Sequence, residues 1–307
     1  CDHRININNL NEVSELVKKI KPDFIFHLAA QSLVGLSYND PAKTWETNVL
    51  GTLNVLEALK KLSKPCNVII ITSDKCYFNE EKKAGYKETD VLGGKDPYSS
   101  SKASAELLIR SYISSYFKKD NTKIRIATAR AGNVIGGGDW SQNRIIPDCI
   151  RCWSRGKTAT LRRPNATRPW QHVLEAVGGY ICLAANLKKN KSLHGESFNF
   201  GPNISKEYSV LKLVKAMSKH WERVSWKINK RTSSFHESEL LKLNCNKAKK
   251  ILKWQSVLKF HETIEMVVTW YKKYYSNPKE IRNITREQIK EYQNIISNRG
   301  MKWIKKN

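Results

Sequence analysis

Short strand-like runs constrain this chain most. Asn67 to Thr72 is continuously apolar, the kind of strand found inside parallel sheets covered on both faces; Asp23 to Leu28 reads as a buried strand before it, and Lys123 to Arg130, with Ile124, Ile126 and Ala129, as a third. Between the first two, Thr44 to Leu62 carries Trp45, Val49, Leu53, Leu56 and Leu59 at helical spacing. Before the third, Pro97 to Phe117 reads as a long helix, with Asp96 as its N-cap and Pro97 in its first turn. Strands of this kind joined by helices require right-handed crossovers, so the sequence predicts a doubly wound parallel α/β sheet.

Beyond Arg130 the texture changes. Ala131 to Asn143 is glycine-rich; Ile145 to Trp153 and His172 to Leu187 read as helices, and Ser197 to Phe200 as one more strand closed by Gly201-Pro202. From Ser209 the chain is mainly helical and basic. There is no internal repeat and no low-complexity linker, so the expected second, smaller domain is interwoven with the first. The boundaries predicted are 1–133 for the sheet domain, with 170–200 returning to it, and 134–307 for the mainly helical one.

The 307 residues include 54 Lys and Arg against 28 Asp and Glu, a formal charge of +26. Such a field attracts nucleic acid, acidic membrane surfaces or phosphorylated small molecules without choosing among them. No nucleic-acid-binding motif occurs and the cations do not interleave with aromatics in one tract, so a nucleic-acid partner is not expected. No apolar run approaches the ~18 residues of a membrane span, so no membrane partner is expected either. Seven cysteines without scaffold spacing fit a reducing, cytoplasmic setting. Cys149 and Cys152 form one CxxC, but no second pair completes a zinc site, and no metal is expected.

In parallel sheets, ligands bind beyond the carboxyl ends of the strands. After the first strand comes Leu28-Ala29-Ala30-Gln31, where small side chains admit a ligand close to the backbone. After the second comes Ser73-Asp74-Lys75, and after the third Gly132-Asn133 and Gly136-Gly137-Gly138-Asp139. Tyr98 and Lys102 lie four apart on one helix face, where an ammonium beside a phenol favours the phenolate and makes it a usable base. YxxxK alone arises by chance. Here it opens the helix that follows a strand ending in a hydroxyl and a carboxylate, and that context gives it weight. Asp74 has a structural alternative as a turn former, and His172 reads as a packed helix-start residue.

At these residues the sequence resembles the extended short-chain dehydrogenase/reductase family, and within it the nucleotide-sugar 4,6-dehydratases. The strings HLAAQ (27–31), TSDKCY (72–77), GGKDPYSSSK (93–102), RAGNVIGGGDW (130–140) and RPWQHVLE (168–175) are most similar to the CDP-glucose type, over roughly residues 2 to 270. The resemblance implies a Rossmann-type fold, NAD as cofactor, CDP-glucose as substrate and a homodimer or homotetramer. It also implies a place in deoxysugar biosynthesis for lipopolysaccharide O-antigen.

It further implies roles. Ser73, Tyr98 and Lys102 would be the catalytic triad, Asp74 the acid for the hydroxyl leaving C6, and Lys75 would stand where most 4,6-dehydratases carry the Glu that acts on C5. Asp2, Leu28, Ala29, Ala30, Gln31, Asn48, Thr72, Tyr98 and Lys102 would line the cofactor. Gln31 and Asn133 would touch the nucleotide-sugar, and Arg144 and Arg168 its diphosphate, which the planar guanidinium suits. Nucleotide-sugar 4-epimerases share the triad but need no C6 acid, so Asp74 separates them.

One departure bears on the cofactor. Dinucleotide folds receive the pyrophosphate on a Gly-rich turn at a helix N-terminus, and no such turn occurs here. Cys1 to Arg4 resembles the end of the family's third strand, with Ile5 where a second acid is usual. The expectation is that roughly sixty residues, two βα units, precede Cys1, and that this chain alone binds NAD weakly or is inactive.

Overall fold

Phe24–His27, Cys66–Ile71, Ile124–Ala131 and Ser197–Phe200 lie side by side in that order as one four-stranded sheet. In this computed structural model, which describes residues 1–118, 123–203, 208–229, 240–301 and 303, each apolar run of the first half is a strand. The first three run parallel, with Phe24 opposite Asn67, His27 opposite Ile70, and Ile71 opposite Ala129. This register brings the carboxyl ends of the first two strands to one edge. The Thr72 N–H extends the ladder by one bond, to the Ala129 carbonyl at 2.9 Å.

The chain divides into two compact units. The first is Cys1–Glu80, Tyr86–Ala131 and Tyr180–Asn199; the second is Glu81–Gly85, Gly132–Gly179 and Phe200–Asn307. In the first unit, Val68, Ile70 and Ile126 of the sheet pack with Leu56, Leu59 and Ile109 of the helices. All six are at most 1% exposed, so each contributes roughly 1.5–3 kcal/mol of burial.

The helix expected over 44–62 differs from its sequence reading. It starts at Pro41 and runs as Pro41–Trp45, a π-helical turn Glu46–Leu50, and Gly51–Lys60. The earlier start has the same cause as that of Pro97–Ser115: an aspartate cap followed by proline. Asp40 accepts the Lys43 N–H at 2.9 Å, as Asp96 accepts that of Ser99 at 3.0 Å. The π turn has no sequence signature of its own, but such turns recur at functional sites. This one carries Asn48.

In the second unit, the helices Ile145–Trp153, Val210–Met217 and Phe260–Ser276 enclose a core that includes Ile150, Trp153, Leu213, Val267 and Tyr271. Val134–Ile135 pairs with Gln171–His172, Thr167–Arg168 with Tyr208–Ser209, and Ala159–Leu161 with Trp226–Ile228. The glycines at 136–138 serve packing. A Cβ on Gly137 would come within 2.0 Å of the Trp270 indole, and one on Gly136 within 2.7 Å of Val173. Glu175, buried in the same unit, accepts the N–H groups of Val257 and Leu258 and the hydroxyls of Ser256 and Tyr292. The helix Val173–Lys189 is divided between the units at Gly179 and Tyr180.

Candidate active site

The first unit gathers the residues of the proposed chemistry at the ends of its strands. The strand Cys66–Ile71 ends in Thr72, and Ser73 caps a short 3₁₀ turn over Asp74–Cys76, on which the helix Pro97–Ser115 packs. Ser73 Oγ accepts the Lys75 N–H at 3.2 Å and donates to Asp74 Oδ1 at 3.0 Å. Ser73 and Asp74 are both buried, while Lys75 is half-buried. Ser73 and Asp74 are thus in direct contact at the strand end.

Tyr98 and Lys102 are buried on the helix that covers this turn. The Lys102 ammonium lies 3.5 Å from the Ile71 carbonyl, so the helix returns its cation to the end of the strand. Burial lowers the Lys102 pKa to about 8, against which Cys76 and Glu106 pull upward. Lys102 is therefore still mainly protonated near neutrality but close to its midpoint, where a small change of environment alters its charge.

Tyr180, a residue without a sequence motif, is buried in the same unit. Burial raises its phenol pKa, and the neighbouring Tyr98 and Asp74 raise it further, which brings all three into one polar cluster. It lies far along the chain from Asp74 and Tyr98, in the last segment of the unit, and no spacing rule links it to them.

Asn48 organises the loop after the first strand. Its Oδ1 accepts the Gln31 N–H at 2.8 Å, and its Nδ2 donates to the Gln31 carbonyl at 3.0 Å and to Ser101 Oγ at 2.9 Å. Ser101 in turn donates to the Tyr98 carbonyl at 2.7 Å. Both N–H groups of Asn48 are thus spent inside the fold, holding the loop to the Tyr98 helix. Gln31 is similarly engaged: its amide donates to Thr44 Oγ1 and the Leu33 carbonyl and accepts from the Leu33 N–H. Leu28 and Ala29 stay exposed and Ala30 half-buried. Backbone access, rather than the Gln31 or Asn48 amide, is what this loop offers a ligand. Asp2 is exposed and paired with Arg4 at 3.0 Å.

His27 ends the first strand beneath this loop. Thr52 Oγ1 spends its single proton on the Asn48 carbonyl at 2.8 Å, so His27 Nε2, 3.1 Å from that oxygen, is the protonated ring nitrogen. Burial, helped by the charge of Lys102, lowers the His27 pKa to about 4.

The second unit, taken by itself, holds Asn133, Arg144 and Arg168. The Asn133 carbonyl accepts the Gln171 N–H at 3.1 Å, and Arg144 pairs with Asp139 at 3.0 Å. Arg168 lines a cavity of about 430 Å³ together with Trp170, Tyr208, Lys242, Phe260 and His261. Tyr208 and Phe260 stack there face to face, with ring centroids 3.7 Å apart and planes 5° from parallel. Asn133 and Arg144 do not line this cavity. An aromatic wall beside cations accepts a flat ring attached to an anion. No sequence motif marks Tyr208 or Phe260, because they are distant in the chain.

Cys149 is buried, and burial pushes its thiol up to about 12, which makes it an unreactive packing residue. Among the described residues no cluster of three His, Cys, Asp or Glu could hold a metal, and no helix is long and apolar enough to cross a membrane.

Comparison with known proteins bears on the family and the fold. The family described as GDP-mannose 4,6 dehydratase matches residues 2–267. The CDP-glucose 4,6-dehydratase of Salmonella typhimurium is 40% identical over 274 residues, which cover 88% of this chain and 76% of that enzyme. An epimerase structure from Methanothermobacter thermautotrophicus aligns with a TM-score of 0.79 at 21% identity, covering 92% of this chain and 80% of that one. The dTDP-glucose 4,6-dehydratase of Bacillus anthracis in complex with NAD aligns with a TM-score of 0.72 at 22% identity, over 91% and 81% of the two chains. The fold is therefore the parallel-sheet α/β, Rossmann-type one.

Proposed function

Because this chain belongs to the GDP-mannose 4,6 dehydratase family, we propose that it converts CDP-glucose to CDP-4-dehydro-6-deoxyglucose and water. The observation that carries the reading is the buried Ser73-Asp74 turn covered by the helix of Tyr98 and Lys102. The 40% identity to a CDP-glucose 4,6-dehydratase supports this nucleotide.

The residues present suit the nicotinamide end of NAD, with a loop exposed at Leu28 and Ala29 and the Tyr98 and Lys102 side chains on the helix that packs at the end of the second strand, whereas the Thr72 hydroxyl is committed to Glu106. The sequence holds no Gly-rich turn for the pyrophosphate. NAD, when bound, supplies reversible hydride acceptance. The chain's own residues handle the protons. Lys102 stabilises the Tyr98 phenolate, which takes the proton from the sugar 4-hydroxyl while Ser73 holds that oxygen. A ketone at C4 acidifies the C5 proton, and Asp74 gives a proton to the hydroxyl leaving C6. By family likeness, Lys75 stands where most 4,6-dehydratases carry the Glu that acts on C5. By family likeness, Asn133 is a contact of the nucleotide-sugar and Arg144 and Arg168 are contacts of its diphosphate; the Tyr208–Phe260 wall beside Arg168 suits a flat ring attached to an anion.

A homodimer or homotetramer is supported by the apolar side chains of Trp45, Leu50 and Leu107, exposed on the helices of the first unit. A cytoplasmic site of action and a role in deoxysugar supply for O-antigen complete the reading. The test is incubation of the purified protein at saturating NAD with CDP-, dTDP-, GDP- and UDP-glucose. A 4-keto chromophore from CDP-glucose alone is expected. Turnover of another nucleotide but not CDP-glucose overturns the substrate, and a 4-epimer retaining its 6-hydroxyl indicates an epimerase.

A further inference from the structure

A fully buried ion pair lies beneath the catalytic turn, outside every residue assigned above. Glu106 and Arg130 are both 0% exposed. Arg130 grips the carboxylate with two parallel bonds, Nε to Oε1 and Nη2 to Oε2, each 2.8 Å. Burial alone would raise the Glu106 carboxyl, but the Arg130 bonds hold it below its ordinary value, so it stays ionised.

The partners of this pair are what point to function. Thr72, the residue before Ser73, donates to Glu106 Oε1 at 2.6 Å. Tyr77, the residue after Cys76, receives the Arg130 Nη1–H on its hydroxyl at 2.8 Å and donates to Asn199 Oδ1 at 2.8 Å. Arg130 also reaches the Glu88 carbonyl at 3.2 Å and Ser197 Oγ at 3.2 Å. Glu106 lies one helical turn beyond Lys102, on the same face. Strand, turn, helix and a neighbouring strand thus meet on one guanidinium–carboxylate pair. A buried pair of this kind adds little net stability; what it supplies is fixed geometry.

We propose that Glu106 and Arg130 are positioning residues of the dehydratase. The pair clamps the segment Ser73–Cys76 at both ends, through Thr72 and Tyr77, and sets the electrostatic environment of Lys102. This rests on the assignment of Ser73, Asp74, Tyr98 and Lys102 to the reaction. The groups facing Lys102 are Glu106 and Tyr98 on its own helix, Cys76 on the turn and His27 on the first strand. Glu106 is the one carboxylate among them, so its charge keeps Lys102 protonated in an otherwise desolvating site.

The test uses the purified protein with NAD and CDP-glucose, and follows Lys102 separately by NMR of ¹³C-labelled lysine. Tyr77→Phe and Thr72→Val loosen one end of the clamp each, without touching charge. Each is expected to lower kcat about tenfold with KM changed less than about twofold, because positioning acts on the reacting geometry rather than on binding. Both are expected to leave the Lys102 titration where it was. Glu106→Gln is expected to move that titration down by about one pH unit, since it removes the charge that favours the ammonium. Glu106→Asp should restore the titration but not kcat. Wild-type kcat in Tyr77→Phe and Thr72→Val overturns the clamp, whether or not Glu106→Gln folds. A Lys102 titration unmoved in folded Glu106→Gln overturns its electrostatic half. If the wild-type protein leaves CDP-glucose unchanged, the substrate reading falls, and the Lys102 titration still decides that half.

Discussion

The side-chain amide of Asn48 pairs with both backbone groups of Gln31, at 2.8 and 3.0 Å, as a neighbouring strand would. The loop after the first strand is thereby fixed to a π-helical turn, and through Ser101 to the helix of Tyr98. Asn48→Asp keeps the acceptor and loses both donors, leaving the Gln31 carbonyl and Ser101 without their partner and a buried charge in their place. We expect a loss of about 2–4 kcal/mol in chemical denaturation and a fall in kcat. A melting curve and kcat matching the wild type would show that the loop does not depend on this amide.

Asp74→Asn removes the proton proposed for the departing C6 hydroxyl and keeps the shape of the turn. Loss of water should slow by about 10²–10⁴, while oxidation at C4, read as transient NADH absorbance, continues. Equal slowing of both steps would assign Asp74 a structural part instead.

Lys102 is buried with its pKa lowered to about 8 from 10.5. Between these values the unfolded chain binds more protons than the folded one, so the contribution of Lys102 to stability rises from pH 8 to pH 10.5. Below pH 8 the buried charge costs of the order of 3 kcal/mol. Lys102→Met should therefore raise the melting temperature at pH 7 while abolishing turnover. In the wild type, activity should decline on the alkaline side as Lys102 loses its proton. A destabilised Lys102→Met would mean that the ammonium is better solvated than its burial implies.

His27 and His172 are both buried with pKa values lowered to about 4. Their sign is opposite to that of a salt-bridged histidine. From pH 6.5 down to 4 the unfolded chain takes up protons that the folded one refuses, so stability falls through this window. His27→Gln, which can still donate to Thr52, should flatten the decline when urea midpoints are compared at pH 7 and pH 5. An unchanged slope would exclude His27 as its source.

Much of the sheet and the ends of its strands were legible in the sequence, because uninterrupted apolar runs and Asp-Pro helix starts are local signals. YxxxK after a strand ending in Ser-Asp was legible for the same reason. What escaped is non-local. Glu106 lies four residues after Lys102 and Arg130 sits one residue before the end of the strand Ile124–Ala131, and no spacing rule announces that they meet. Tyr180 joins Tyr98 and Asp74 across a long chain separation, and Tyr208 finds Phe260 likewise, with no spacing rule to announce either. The glycines at 136–138 follow the third strand, and their density reflects packing in part, since Gly137 makes room for Trp270. Gln31 and Asn48 stand out by family likeness, and in the structure both amides bond within the fold.

The division of the chain has a practical consequence for engineering. The polypeptide passes from one unit to the other between Glu80 and Glu81, Gly85 and Tyr86, Ala131 and Gly132, Gly179 and Tyr180, and Asn199 and Phe200. Neither unit is a contiguous stretch that can be excised, expressed alone or exchanged at a single joint. Recombination with a relative will have to exchange individual side chains in place, leaving the interleaved backbone uncut.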